Sequence, residues 1–154
     1  KKYEAFLFDL NGTLIDDMQY HIIAWHKILN SLGVPISLKE TKEQCYGKNE
    51  ELLERVLPGK FSAEQKRELS VEKEKQYQQT YKPHLQLISG ADFFLEKVFA
   101  HNIQMAIGTA AIMFNVDFVL DGLQLHKYFR TIISADDVQL SKPNPETYLK
   151  CAEQ

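Results

Sequence analysis

The chain has 154 residues, enough for one sizeable core or for a compact core with a small accessory lobe. It is 44% hydrophobic and 25% charged with a net charge of -3, so no basic surplus points to a nucleic-acid partner. No apolar run approaches the roughly 18 residues of a membrane span, and the two cysteines, Cys45 and Cys151, lack the spacing of a zinc site or disulfide framework, which leaves the cytoplasm as the expected compartment.

Residues 3–10 form a near-continuous apolar run ending at Asp9-Leu10, too short for a secretory segment and shaped like a central parallel strand covered on both faces. Asn11-Gly12-Thr13 breaks it as a turn. From residue 18 the period changes: Met18, Ile22, Trp25, Leu29 and Leu32 make one helical stripe, with Gly33 placed to end it. Ser37 with Glu40, and Ser62 with Gln65, are two capping boxes. Between them Leu52, Leu53, Val56 and Leu57 predict a short helix stopped by Pro58-Gly59. Residues 63–82 are polar almost all round, with Leu69, Tyr77 and Tyr81 as sparse anchors, which suits a helix with one face on a small lobe.

After Pro83 the pattern becomes α/β. Phe94, Leu95, Val98 and Phe99 give a helical face, and 103–107 a buried strand ending at Gly108-Thr109. Ile112, Val116, Val119 and Leu120 mark a helix running to Gly122, 131–134 a further strand, and Asn144-Pro145-Glu146 the start of another helix. Strand, helix, strand, helix implies a parallel sheet with right-handed crossovers. The fold class is therefore α/β, a Rossmann-like parallel-sheet core of 1–16 and 82–154 with an all-helical insertion over 17–81.

Asp9, Thr109 and Lys142 each follow a predicted strand, where open α/β sheets place their ligands. A carboxylate, a hydroxyl and an ammonium converging there suit phosphate chemistry, with the carboxylate as nucleophile and the other two opposing charge on the phosphoryl oxygens.

Phe8-Asp9-Leu10-Asn11-Gly12-Thr13-Leu14 resembles the first motif of the haloacid dehalogenase superfamily, hhhDxDGT. Ala106-Ile107-Gly108-Thr109 resembles its second motif, and Ser141-Lys142-Pro143-Asn144-Pro145-Glu146 its third. The helical insertion between motifs one and two is similar to the small cap of the beta-phosphoglucomutase-like subfamily, in which a histidine and a tryptophan stand at the places of His21 and Trp25. Tyr46-Gly47-Lys48 resembles the substrate loop of that cap, and Lys73 a sugar-contacting lysine. The resemblance implies Asp9 as nucleophile, Asp9 and the Asn11 carbonyl as ligands of Mg2+, and Thr109 and Lys142 as phosphoryl-binding groups. It also implies phosphoryl contacts from the amides near Leu10 and Ala110, tuning of position 11 by His21, and a cap that presents Gly47, Lys48 and Lys73 to the substrate. The expected partner is a small phosphorylated metabolite, a sugar phosphate, with no nucleic acid and no membrane; the expected oligomeric state is a monomer.

Three departures stand beside the resemblance. Asn11 replaces the family's second aspartate and cannot exchange a proton at neutral pH. The fourth motif, an acidic pair that completes the metal site, is expected after Lys142 beyond a helix and a strand, past Gln154. Lys48-Asn49-Glu50 stands where the mutase loop carries an arginine. The readings left open are a sugar-phosphate mutase, a small-molecule phosphatase, and a catalytically impaired protein that binds a phosphorylated ligand.

Overall fold

The computed structural model describes residues 3–154. In chain order the elements are β1 (Ala5–Phe8), α1 (Met18–Ser31), α2 (Leu38–Gln44), α3 (Asn49–Val56), α4 (Ala63–Tyr81), α5 (Ala91–Ala100), β2 (Gln104–Gly108), α6 (Met113–Leu123), β3 (Thr131–Ile133) and α7 (Glu146–Glu153). They fall into two compact units: residues up to Asp16 with Leu85–Gln154, and Asp17–His84.

The first unit is α/β. Its three strands are parallel in the order β1-β2-β3, with Phe8 opposite Ile107 and Gly108 opposite Ile133. β2 is the middle strand, and Met105, Ala106, Ile107 and Gly108 are all buried, which is why its sequence is apolar without alternation. β1 has the same apolar signature but pairs with β2 alone among the described residues, and Leu7 remains 38% exposed. An apolar run records that a strand suits burial; it does not record how many neighbours pair with it.

Two further sequence expectations shift. The buried face of α5 is Ala91, Leu95 and Val98, whereas Phe94 and Phe99 lie outward. Phe94 instead meets Phe6 edge-on with ring centroids 5.3 Å apart, and Phe99 meets Tyr128 at 5.5 Å. Gly122 does not end α6. The helix continues to Leu123, and Gln124 takes the left-handed turn at φ 55°. A Cβ at Gly122 would sit 2.4 Å from Leu85 Cδ2, so the end of the Leu85 side chain packs onto the bare backbone there.

The second unit is all helical. α1 packs against α2 and α4, and α3 against α4. Its apolar centre is Trp25, Ile28, Leu29, Leu52 and Leu53. α1 ends in a Schellman turn: Gly33 has φ +84°, its amide donates to the Asn30 carbonyl, and Val34 donates to Leu29. Both capping boxes close, Ser37 with Glu40 and Ser62 with Gln65. The buried stripe of α1 is His21, Ala24, Trp25, Ile28 and Leu29, so a polar ring takes the inward place that the apolar pattern gives to Ile22. Among the described residues no helix is long and apolar enough to cross a membrane.

Candidate active site

Asp9 leaves the C-terminal end of β1, and Thr109 leaves that of the adjacent β2. The loop before α7 brings Lys142 to both: its Nζ lies 2.9 Å from Asp9 Oδ1 and donates to the Gly108 carbonyl at 3.3 Å. The Leu10 amide also donates to Asp9 Oδ1, at 2.8 Å. Both interactions end on one carboxylate oxygen. Oδ2 carries no hydrogen bond from the described residues, so one oxygen is held and the other is open. Thr109 is buried, its amide donates to the Ile133 carbonyl, and its Oγ1 accepts from the Ala111 amide at 3.1 Å. That leaves the hydroxyl hydrogen for another acceptor. The Asn11 backbone forms an isolated parallel bridge to Ile15 as the chain turns back.

Sequence reasoning missed what places Lys142. Its ammonium lies 5.4 Å from the Tyr148 ring of α7. α7 can approach that closely because position 108 is glycine: a Cβ there would meet Thr147 Cγ2 at 2.9 Å, Tyr148 Cε1 at 3.1 Å and Cys151 Sγ at 3.2 Å. Gly108→Ala is therefore expected to cost roughly 1–3 kcal/mol by overpacking. Urea unfolding would measure it, and an unchanged midpoint would show that α7 shifts freely.

The lysine loop is tied at its far end by Glu146. Its carboxylate accepts from the amides of Gln139 and Leu140, and its Oε1 lies 3.0 Å from Lys150 Nζ. The amides of Leu140 and Gln139, then Lys150, hold its carboxyl down to about 2 from the ordinary 4.5. A depressed carboxyl stabilises the fold above its ordinary value, and that contribution is lost as pH falls through the folded value. The wild-type protein is thus expected to lose stability between pH 4.5 and about 2 through this group. Glu146→Gln should flatten that part of a plot of Tm against pH; parallel curves would refute the assignment.

Ala110 follows Thr109 in the loop between β2 and α6, and the remaining predicted site residues, His21, Gly47, Lys48 and Lys73, lie in the helical unit. His21, Lys73 and Glu74 are buried together with Asp17 and Tyr77. His21 Nε2 is 3.0 Å from Asp17 Oδ2, and Tyr77 donates to the same oxygen at 2.5 Å. The His21 and Tyr77 rings stack with centroids 3.8 Å apart. Lys73 Nζ lies 2.7 Å from His21 Nδ1 and 2.9 Å from Glu74 Oε1. Burial, reinforced by the Lys73 charge, pushes the His21 pKa down, so the ring is neutral at pH 7. The neutral ring then donates from Nε2 to Asp17 and accepts at Nδ1 from the ammonium. Burial pushes the Glu74 carboxyl up, but Lys73 beside it prevails and holds it below its ordinary value. Lys73 is therefore an interior ion, not a solvated one. The i, i+4 spacing of Asp17 and His21 was a usable sequence signal; the partnership of Asp17 with Tyr77, 60 residues on, was not.

Gly47 and Lys48 lie in the turn between α2 and α3, where Gly47 has φ +73° and the Lys48 amide donates to Glu51 Oε2 at 3.3 Å. Asn49 turns inward, its amide nitrogen donating to Ser70 Oγ at 2.8 Å and Glu74 Oε1 at 2.9 Å.

The profile of the haloacid dehalogenase-like hydrolases matches residues 6–154. Beta-phosphoglucomutase of Bacillus subtilis is 28% identical over 97% of this chain and 68% of its own length. The phosphorylated carbohydrates phosphatase of Thermotoga maritima is 28% identical over 95% of this chain and 68% of its own. The crystal structure of beta-phosphoglucomutase from Clostridium difficile superposes with a TM-score of 0.85 at 29% identity, covering 98% of this chain and 70% of that one.

Proposed function

The chain belongs to the haloacid dehalogenase-like hydrolases, enzymes of the phosphatase and phosphotransferase kind, and we propose that it moves the phosphoryl group of a sugar phosphate by way of an aspartyl-phosphate on Asp9. The observation that carries this reading is the Asp9 carboxylate with one oxygen held by Lys142 and the Leu10 amide and the other open. In the proposed step Asp9 Oδ2 forms a bond to phosphorus, the bond from phosphorus to the sugar oxygen breaks, and that oxygen takes a proton from solvent water. Lys142 opposes the charge on the phosphoryl oxygens, and the Thr109 hydroxyl hydrogen is the neutral donor beside it. Asn11, in the place of an acid, orients but supplies no proton.

The donor chemistry fits Mg2+: the Asp9 carboxylate, through the oxygen that does not attack phosphorus, and the Asn11 carbonyl would be hard ligands of the kind that magnesium supplements with phosphate and water. When bound, the ion offsets phosphoryl charge and orients the group for in-line attack.

The names of the relatives support a sugar phosphate as substrate. A phosphatase outcome, with water resolving the aspartyl-phosphate, is favoured by the cap loop, where the Asn49 amide is already engaged and Lys48 is the one cation of 48–50. A lysine binds a distant phosphate as a point charge without the bidentate fork of arginine. The test is acid-quench trapping in the full protein with magnesium and a panel of hexose and pentose phosphates, followed by peptide mapping and product analysis. A hydroxylamine-sensitive phosphate on the Asp9 peptide supports the reading, and isomerised sugar phosphate against free phosphate separates mutase from phosphatase. Tight ligand binding with no phosphoenzyme would move the protein to the binding class.

A further inference from the structure

We propose that Arg55 is the positioning residue of the cap loop Cys45–Lys48, holding it in one shape and through that shape setting the affinity for substrate. This rests on the reading that Gly47 and Lys48 serve the substrate, and it adds a residue which neither the motifs nor the periodicity single out.

Arg55 stands in the last turn of α3. Its Nη2 donates to two backbone carbonyls, that of Gln44 at 2.7 Å and that of Tyr46 at 2.9 Å, and its Nε reaches Gln44 Oε1 at 3.4 Å. The guanidinium carbon lies 3.8 Å from the centroid of the Tyr46 ring. Gln44 is the final residue of α2, where carbonyls lack partners within the helix and a positive charge is favoured. One planar cation thus closes the end of α2, fixes the carbonyl just before Gly47, and covers one face of a tyrosine that remains 59% exposed. A lysine offers no planar fork for this geometry. At the other end the loop is fixed by Glu51 on the Lys48 amide and by Asn49 on Ser70 and Glu74. The left-handed Gly47 is the pivot between two anchored ends, so loosening Arg55 frees Tyr46, Gly47 and Lys48 together.

Cys45 is a reporter built into this loop. The only other cysteine, Cys151, is buried in the α/β unit, and peptide mapping separates the two. Burial pushes the Cys45 thiol up, with the nearby Lys73 and Arg55 charges opposing it. Removing the Arg55 charge would by itself slow alkylation, so acceleration in a variant reports opening of the loop and not electrostatics.

The experiment compares Arg55→Met and Arg55→Lys with the wild-type full protein, reading the Cys45 alkylation rate and the KM and kcat for the sugar phosphate turned over best. The expectation is alkylation about tenfold faster in both variants and a KM raised about tenfold with kcat nearly unchanged. Arg55→Lys should behave like Arg55→Met, since charge alone does not reproduce the fork. Alkylation within about twofold of wild type in Arg55→Lys overturns the clamp. Faster alkylation with an unchanged KM overturns the link to substrate affinity and leaves Arg55 as the cap of α2 alone. Wild-type protein that turns over no sugar phosphate is a failure of the reading of the site, and the clamp then stands or falls on the Cys45 rate.

Discussion

Asp9→Asn is expected to abolish turnover, lowering kcat by about 10⁴-fold or more, while leaving the fold in place. The amide oxygen that replaces the carboxylate can still accept from the Leu10 amide, which now donates to Oδ1 at 2.8 Å. It cannot act as a nucleophile toward phosphorus. The ion pair to Lys142 is lost, but its side chains are 35% and 25% exposed, and such partly solvated pairs contribute at most about 1 kcal/mol. Tm should therefore move little, which separates loss of chemistry from loss of structure. The phosphorylated Asp9 peptide should disappear in the same variant. Retention of more than a few per cent of the wild-type rate would remove Asp9 as the nucleophile. Lys142→Ala should lower kcat less, by roughly 10²–10³-fold, the usual loss for a single group that stabilises transition-state charge.

The parts of the molecule legible in the sequence are those fixed by local pattern. Apolar continuity marks β2, and the box residues Ser37–Glu40 and Ser62–Gln65 mark the starts of α2 and α4. Gly33 marks the end of α1 because only a left-handed residue closes that turn comfortably. The parts that were not legible depend on distant partners. Gly122 reads as a stop signal, yet it is a contact with Leu85, and Phe94 reads as core although its partners are the rings of Phe6 and Phe8. Lys73 sits in a helix so polar that every charge looks solvated, and only the fold buries it with the neighbouring Glu74 and brings His21 to receive it. Arg55 escapes for the same reason, since its acceptors are backbone carbonyls whose identity leaves no trace in the sequence. In the α/β unit, the motifs mark Asp9 and Lys142, which meet at 2.9 Å, but neither the packing role of Gly108 nor Tyr148, which set the lysine's place.

Asn11→Asp is the substitution expected to raise activity, by roughly 10²–10⁴-fold, the usual worth of a positioned general acid or base. The leaving sugar oxygen needs a proton as its bond to phosphorus breaks, and the group that resolves the aspartyl-phosphate must lose one. Asparagine is fixed in its protonation state and does neither. Aspartate at the same place, two residues beyond the nucleophile, exchanges a proton in both directions. The backbone at position 11 is already set by the turn from Leu10 to Leu14 and by the bridge to Ile15, so the change alters chemistry without a new fold. A gain in kcat with a new dependence on pH would identify proton transfer as the step that limits the Asn11 protein. A rate unchanged within twofold, with phosphoenzyme still forming, would mean that water or the substrate already supplies the proton. A rate that stays at zero in both proteins, with sugar phosphate bound by each, would leave Asp9 and Lys142 as parts of a binding site.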